Sequence, residues 1–434
     1  MKLKSIRLEN VGGFSDIEVL TAPTKDLNYN TTVIVGNNGA GKSTILESIA
    51  TALSWYIARI RSEKGSGSPI TELRVKNGTN SAAITIEVEN LDATTGWVLA
   101  KAQKGKKLDK ATKLDDLTKL TNDYRVKFSQ DSNISFPVLV FFDANRGVLD
   151  IPLKIKGKHK FEQLDGYDNA LGGIVDYRRF FEWFREREDA ENELKVNFIN
   201  SADLNSEGIS KNIRMLSDNQ LDAVRTALEI FLPSFKNFRI SRKPRLHMSV
   251  EKHGQLLNVE QLSQGEKLTI ALVGDIARRL AIMNPLLDNV LLGNGIILID
   301  EAELHLHPRW QRTLVGRLTN AFPNCQFILT THSPLLISDD KNISIYSLND
   351  GMLEPMDSQF GNDVNDVLLG VMNTDVRNAE VDKTIDDLLN FLNEKKIEEA
   401  KSLLGELEKE LSENHIEVVK SKLLIKRLEL KSNA

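Results

Sequence analysis

The stretch TTVIVGNNGAGKSTILESIATAL, residues 31–53, decides the fold. An apolar run, a glycine-rich turn and a run with helical periodicity follow one another, which predicts a strand, a loop and a helix. Gly36, Gly39 and Gly41 allow the loop backbone to curl so that successive N–H groups point inward at the helix start. The natural guest of such an anion site is a triphosphate.

The loop is therefore predicted to hold ATP. Lys42 would reach the β- and γ-phosphates as a point charge, and the Ser43 hydroxyl would ligate a bridging Mg²⁺ ion. A glycine-rich turn that contains Gly-Lys-Ser by chance is the alternative, but the flanking strand and helix oppose it. The predicted nucleotide-binding residues are Gly36, Asn37, Asn38, Gly39, Ala40, Gly41, Lys42, Ser43 and Thr44.

A second motif, GIILIDE at residues 295–301, places two acids after four apolar residues. A buried strand that ends in paired carboxylates is costly unless a cation lies there. We expect Asp300 to hold the Mg²⁺ and Glu301 to orient and deprotonate the attacking water. An acidic pair at a strand end is common by chance, but not in a chain that also carries a phosphate loop.

The third motif, LSQGEK at residues 262–267, precedes the helical run LTIALVGDIARRLAIM. Taken alone, it predicts a helix N-cap with Ser263 as the cap and Glu266 completing a capping box. It also resembles the signature motif of ABC-type ATPases, which acts in trans. That resemblance implies that Ser263, Gln264, Gly265 and Glu266 of one copy would clamp the γ-phosphate held by Lys42 of another.

The fourth motif, LTTHSP at residues 329–334, places polar residues at the end of an apolar strand. His332 resembles the switch histidine of the same ATPases, which contacts the γ-phosphate, so a catalytic role is expected for it. The alternative is a histidine that only satisfies local hydrogen bonds.

The four motifs predict an α/β fold, an ABC-type P-loop nucleotide-binding domain with an inserted lobe and a C-terminal helical extension. The ATPase domain is expected to span residues 1–360, with the lobe at about 65–135 and a helical region at about 165–235. Apolar residues then recur at helical spacing from Val381 to Leu430, which predicts three helices within a C-terminal domain at 361–434.

Composition excludes several classes of protein. The longest apolar run, residues 136–142, is far shorter than the roughly 20 residues that span a bilayer, and the N-terminus lacks a secretory signal pattern. A cytoplasmic protein without a membrane partner is expected. The net charge of −5 opposes a general nucleic-acid coat protein, so any DNA or RNA contact would be local. The lysine-rich run at 101–119 is the candidate, with a solvated surface as the alternative.

The sequence EAELHLHP, residues 301–308, separates subfamilies. It resembles the RecF-like and OLD-like AAA-type ABC ATPases, as does LENVGGFSDIEV at 8–19, and not the transporter motors. Hydrogen-bonding or packing roles are expected for His305 and His307, because no third metal ligand is evident. The residues after His332 lack clustered acids for two metals, so no nuclease activity is expected in this chain. No heptad repeat of an SMC-type head lies between Ser43 and Ser263.

The chain is most similar to the ATPases of Septu-type antiphage defence, the PtuA family, which also accompany some retrons. Besides the ATPase motifs, three segments carry the resemblance: PVLVFFDANRGVLDIP at 137–152, YRRFFEWFREREDAEN at 177–192 and GNDVNDVLLGVM at 361–372. The resemblance implies a head-to-tail dimer or higher even oligomer of the chain that regulates a separate HNH nuclease subunit. The C-terminal helices would be the dock for that subunit, or else a stabilising cap.

Two alternatives differ in class from this interpretation. One is a RecF- or SMC-like ATPase that repairs or clamps DNA without a nuclease partner, and a basic groove in the assembled dimer would favour it. The other is the motor of a membrane transporter, which the turn at 301–308 opposes. A neighbouring gene for an HNH protein or for a permease would discriminate between them. Slow turnover, with ATP as a sensor of cell state, is compatible with the first interpretation.

Overall fold

The computed structural model describes residues 1–24, 27–90, 93–146, 161–201, 217–372, 374–375, 377–412 and 414–432. The chain forms two compact units, residues 1–364 and 365–434. No described helix combines the length and the apolar character needed to cross a membrane.

A six-stranded sheet forms the centre of the first unit, in the order β13-β12-β3-β11-β10-β6. Its neighbouring strands are parallel except for the antiparallel pair β12 and β13. Every residue of β3, β6, β10 and β11 is buried, as expected for parallel strands covered on both faces. The strands are β3 (Thr31–Gly36), β6 (Val138–Phe142), β10 (Gly295–Ile299), β11 (Cys325–Thr331), β12 (Ser344–Asn349) and β13 (Met352–Met356).

Two antiparallel sheets flank this core. A four-stranded sheet has the order β2-β1-β4-β5, and the alternation of buried and more exposed residues along β1 and β2 fits strands covered on one face. A three-stranded sheet has the order β7-β8-β9. The strands are β1 (Lys2–Glu9), β2 (Asp16–Leu20), β4 (Ser81–Asn90), β5 (Ala93–Ala102), β7 (Phe235–Ser241), β8 (His247–Lys252) and β9 (Gln255–Asn258).

The helices of the first unit begin with α1, which directly follows the glycine-rich loop. They are α1 (Lys42–Arg61), α2 (Asp115–Gln130), α3 (Tyr177–Ser201), α4 (Asn219–Phe231), α5 (Gln264–Met283), α6 (Pro308–Gln311), α7 (Leu314–Ala321) and α8 (Pro334–Ser338). Helix α5 is buried on all sides from Leu268 to Met283. A helix that is buried on all sides belongs in a core, and a Cβ atom at Gly274 would collide with the Phe180 ring.

A charged triad lies inside this core. Asp275 accepts from Arg278 at 2.5 Å and from Arg279 at 2.8 Å, and all three side chains have zero exposure. Burial alone would raise the pKa of Asp275, but the two guanidinium groups outweigh it and lower that pKa. Arg279 also donates to the carbonyls of Gly166 and Asp168, which fixes the end of α5 to the segment before α3.

The second unit is helical, as predicted. Helix α9 (Val364–Gly370) begins at the boundary, followed by α10 (Ala379–Asn393), α11 (Ile397–Glu410) and α12 (Ile416–Ser432). The last three helices share one apolar core, formed by Ile385, Leu388, Leu392, Ala400, Leu404, Leu407, Val418 and Ile425. The periodicity that predicted these helices therefore marks their buried faces.

The segment 177–192, one of the three that carry the resemblance, lies within α3, which continues to Ser201. Two parts of the predicted segments lie outside the described residues: residues 147–152 of the segment 137–152, and residues 202–216 of the predicted helical region 165–235.

Replacing Asp275 by Ala is expected to lower the free energy of unfolding of the first unit by about 3–5 kcal/mol. The reason is that two buried guanidinium groups would lose their counter-charge. Asp16→Ala is the matched control, because the Arg7–Asp16 pair is about half exposed, and it should cost about 0–1 kcal/mol. Urea unfolding followed by tryptophan fluorescence measures the effect, since Trp55, Trp97, Trp183 and Trp310 all lie in this unit. Equal losses for both variants would contradict the expectation.

Candidate functional site

The glycine-rich loop connects β3 to α1, as the sequence predicted. At two of its glycine positions a side chain would collide with neighbouring atoms. Gly41 has φ +106°, and a Cβ atom there would lie 2.5 Å from the Phe14 ring. A Cβ atom at Gly36 would lie 2.1 Å from the Leu348 carbonyl oxygen. The loop residues Asn37 to Gly39 are exposed, and Ser43 is exposed in the first turn of α1. The N–H groups of that turn have no partner within the helix, as at every helix start.

Lys42 lies where the loop meets the neighbouring strand end. Its Nζ atom donates to the Gly36 carbonyl at 2.8 Å and to the Asn37 carbonyl at 3.1 Å. It also lies 2.8 Å from Nε2 of His332, which follows β11. Burial lowers the pKa of Lys42, and the carboxylates of Asp300, Glu301 and Glu303 act in the opposite direction.

Asp300 is buried at the end of β10, where its carboxylate accepts from the Thr330 hydroxyl. The same hydroxyl group accepts from the Glu301 N–H at 2.8 Å. Glu301 has φ +45°, a conformation that is uncommon for a residue other than glycine. Thr330 therefore holds both acids of the motif at the edge of the sheet.

Arg146, which follows β6, lies beside the acidic motif. Its side chain is 6% exposed and donates to the carbonyl of Asp300 at 2.8 Å and of Glu301 at 2.6 Å. Burial lowers its pKa, against the nearby acids, but a guanidinium group stays charged. In the structure Arg146 thus fixes the backbone of the acidic motif from the end of β6. The neighbouring Asn145 is exposed.

Glu303 was missed as a functional residue. One carboxylate oxygen accepts from the His332 N–H at 2.5 Å and the other from the Thr331 hydroxyl at 2.7 Å. Burial, followed by the nearby Lys42, lowers the pKa of His332. The imidazole is therefore neutral near pH 7, and Nε2 can accept from the Lys42 ammonium group. Glu303 fixes the backbone that carries this ring.

The two histidines of the turn at 301–308 have structural roles. Nδ1 of His307 accepts from the Arg309 N–H at 3.2 Å, which caps α6 and confirms the predicted hydrogen-bonding role. His305 has φ +63°, and its carbonyl lies where a Cβ atom at Gly265 would come within 2.4 Å. Gly265 therefore permits the start of α5 to approach this turn.

The predicted capping box at Ser263 is confirmed. Ser263 caps α5, and Glu266 accepts from its N–H and its hydroxyl at 2.9 Å each. Glu266 also accepts from Lys252 at 2.7 Å. Burial would raise the pKa of Glu266, but the hydrogen bonds from Lys252 and Ser263 outweigh it and lower that pKa.

The structure thus brings Lys42, Asp300, Glu301 and His332 together at one sheet edge. The signature residues lie beside the turn at 301–308: Gly265 approaches the His305 carbonyl, and Gln264 and Arg146 line one cavity. Within the described residues, no hydrogen bond joins Ser263, Gln264, Gly265 or Glu266 to the glycine-rich loop of the same chain. A cavity of about 320 Å³ adjoins the loop, lined by Gly13, Phe14, Asn37, Asn38, Gly39, Ala40, Asn349, Asp350 and Gly351.

Residues 31–338 match the protein family described as "AAA domain, putative AbiEii toxin, Type IV TA system". The chain is 34% identical over 408 residues to the "Retron Vc95 probable ATPase" of Vibrio cholerae serotype O1 biovar El Tor, covering 85% of this chain and 78% of that one. It is 31% identical over 398 residues to the "Retron Ec83 probable ATPase" of Escherichia coli, covering 81% and 72%. It is 25% identical over 347 residues to the "Septu protein PtuA" of Bacillus thuringiensis, covering 77% and 72%.

The lowered pKa of His332 predicts an acid-sensitive site. A pKa below the ordinary value of 6.5 means that the unfolded chain binds the proton more readily. The contribution to stability is complete above pH 6.5 and is lost as the pH falls through the lower folded pKa. Without nucleotide, the unfolding free energy of the wild type should fall more between pH 7.5 and 5.5 than that of His332→Gln. Urea titrations at both pH values measure the difference, and parallel losses would refute the assignment.

Proposed function

Because the chain belongs to this AAA-domain family and is similar to the retron Vc95 and Ec83 ATPases, we propose that two copies bind and hydrolyse ATP between them. The glycine-rich loop of one copy would hold the triphosphate, and the signature motif of the other would cover it. The convergence of Lys42, His332 and the acidic motif at one sheet edge carries this proposal.

The residues present fit a nucleotide with a magnesium ion. Ser43 offers a hydroxyl group and Asp300 a carboxylate, which are the hard oxygen ligands that Mg²⁺ prefers. When bound, the ion would neutralise charge on the phosphates. Lys42 would exchange its hydrogen bonds to loop carbonyls for phosphate oxygens, while the residues from Gly36 to Thr44 supply N–H groups.

Glu301 would act as the general base that takes a proton from the attacking water. Its backbone is held by Arg146 and Thr330, which we infer to be positioning residues for this step. His332 would donate a hydrogen bond to the γ-phosphate once Lys42 has moved onto the phosphates. Its neutral state suits that role, because a neutral imidazole retains one N–H donor.

The signature residues would serve the second copy. Ser263 and the first N–H groups of α5 would form an anion site at a helix start, and within the described residues no hydrogen bond joins them to the glycine-rich loop of their own chain. Ser263, Gln264, Gly265 and Glu266 are therefore available to an ATP molecule held by another Lys42. A reciprocal pair, in which each copy covers the nucleotide held by the other, gives an even number of copies.

The biological role that we propose is the ATPase subunit of an antiphage defence complex. Its relatives are named as retron ATPases and as a Septu protein, which supports this choice over DNA repair. In this role ATP binding or hydrolysis would regulate a separate HNH nuclease, with no nuclease activity in the chain itself. The helices α10 to α12 would provide the dock for that subunit.

The mass of the protein in solution, with and without ATP and Mg²⁺, tests the proposal. Glu301→Gln should bind ATP without hydrolysing it, and ATP should hold this variant in an even-numbered oligomer. The double variant Glu301→Gln with Ser263→Arg should bind ATP but fail to associate, because the bulky cation blocks the second half of the site. Equal association of both variants would disprove the trans role of Ser263. An HNH protein encoded beside the chain should copurify with it.

The role of Arg146 can be separated from nucleotide binding by kinetics. Lysine cannot span both carbonyls, so Arg146→Lys should lower kcat about tenfold, which corresponds to the loss of about 1.4 kcal/mol of transition-state stabilisation. The KM for ATP should stay within about twofold, because positioning of the base matters only in the chemical step. The exposed neighbour Asn145 is the control, and Asn145→Ala should change neither value. A raised KM at unchanged kcat would instead mean that Arg146 binds nucleotide.

A further inference from the structure

The sheet formed by β7, β8 and β9, residues 235–258, concentrates positive charge, and we call it the basic sheet. It contains six lysines and arginines against one glutamate, a net charge of +5 in a chain whose net charge is −5. The lysines and arginines are Lys236, Arg239, Arg242, Lys243, Arg245 and Lys252. This concentration is a local feature that the overall charge conceals.

Most of these cations have no acidic partner. Arg242 pairs with Asp189 and Lys252 pairs with Glu266. Lys236, Arg239, Lys243 and Arg245 are exposed and form no ion pair with any described residue. The sheet's single acid, Glu251, accepts from the neutral Asn237 side chain at 2.7 Å. Four cations therefore face solvent without an ion-pair partner among the described residues.

The exposed side chains favour recognition of phosphates and not of bases. The two aromatic residues of the sheet, Phe235 and Phe238, are each 1% exposed, so no ring is available to stack on an unpaired base. A groove of about 400 Å³ lies beside the β7–β8 turn, lined by Lys243, Arg245 and His247 together with Asn258 and Glu260. Arginine and lysine without exposed aromatic rings are typical of contacts to a duplex backbone.

We propose that the basic sheet binds the phosphodiester backbone of a double-stranded nucleic acid without sequence preference. Lys243 and Arg245 lie in the turn between β7 and β8, and Lys236 and Arg239 lie in β7, so all four belong to one hairpin. Lys236, Arg239, Lys243 and Arg245 are the contact residues. The lysine-rich run at 101–119, the candidate from the sequence alone, lacks arginine, the residue that matches phosphate geometry best.

The bound duplex would also act on the signature motif, a step that rests on the proposed function. Lys252 at the end of β8 donates to Glu266 at 2.7 Å, and Glu266 accepts from both donors of Ser263. The groove residue Asn258 lies only five positions before Ser263 in the chain. A shift of β8 on binding would therefore move the group that closes the other copy's nucleotide site.

Fluorescence anisotropy with a labelled 20-base-pair DNA duplex, without nucleotide, tests the binding step. With about four phosphate contacts, the wild-type affinity should fall about 100-fold between 50 and 200 mM salt. The triple variant Arg239→Glu, Lys243→Glu, Arg245→Glu should bind at least about 30-fold more weakly and show a shallower salt dependence. The matched control carries the same charge change on exposed residues, Lys104→Glu, Lys106→Glu, Lys107→Glu, and should lose less than about threefold.

Binding measurements with other ligands distinguish duplex nucleic acid from other phosphate-bearing molecules. Duplex DNA or duplex RNA should bind more tightly than a single strand of equal length. Tighter binding of the single strand, equal losses for the two triple variants, or binding only to anionic lipid vesicles would each overturn the proposal. A thermal melt of each variant checks that the fold is retained.

The coupling step has its own measurement. Lys252→Met should bind the duplex within about twofold of the wild type, since Lys252 is paired internally and is not a phosphate contact. The duplex should change the ATPase rate of the wild type and leave that of Lys252→Met unchanged. An equal response in both proteins would refute the coupling through Glu266. The anisotropy result stands independently, so failure of ATP hydrolysis itself remains distinguishable from failure of duplex binding.

Discussion

The parallel strands β3, β11, β10 and β6 all end at one edge of the central sheet, and this constraint determines the site. Each strand is fully buried, so the chain can present polar groups only where a strand stops. The glycine-rich loop, His332, the acidic motif and Arg146 are four such exits. Their proximity follows from the strand order and not from their spacing in the chain, because neighbouring parallel strands bring their ends together.

Hydrogen bonds connect the four strand exits in the order of the strands. Arg146 after β6 holds the carbonyls after β10, and Thr330 in β11 holds the N–H of Glu301. Glu303 after β10 holds the backbone of His332, whose ring meets Lys42 after β3. Each buried polar group is thereby satisfied by its neighbour, which lowers the cost of burying charge. A displacement at one exit must disturb the next, so the site responds as a unit.

The sequence was sufficient for the local part of this arrangement. The strand, loop and helix around Lys42, the cap at Ser263 and the helices after residue 378 follow from short-range patterns, and the structure confirms them. Contacts that depend on the strand order could not be predicted from short-range sequence patterns. Arg146 and Asp300, for example, are 154 residues apart. The β7–β8 pair was missed for another reason. Its alternation is broken by a register shift, with Asn237 at φ +54°, so the period-two pattern is interrupted.

Helix α5 connects the core of the first unit to the basic sheet, and its two ends are held by different kinds of contact. Its far end lies in the core, where Arg279 is fixed to the carbonyls of Gly166 and Asp168 and no side chain of the triad reaches water. Its first turn instead rests on Glu266, which is shared between Ser263 and Lys252 of the basic sheet. A partly exposed ion pair is far easier to exchange than a buried triad. We therefore expect any movement of this helix to be confined to its first turn, which in the proposed function faces the nucleotide of a second copy.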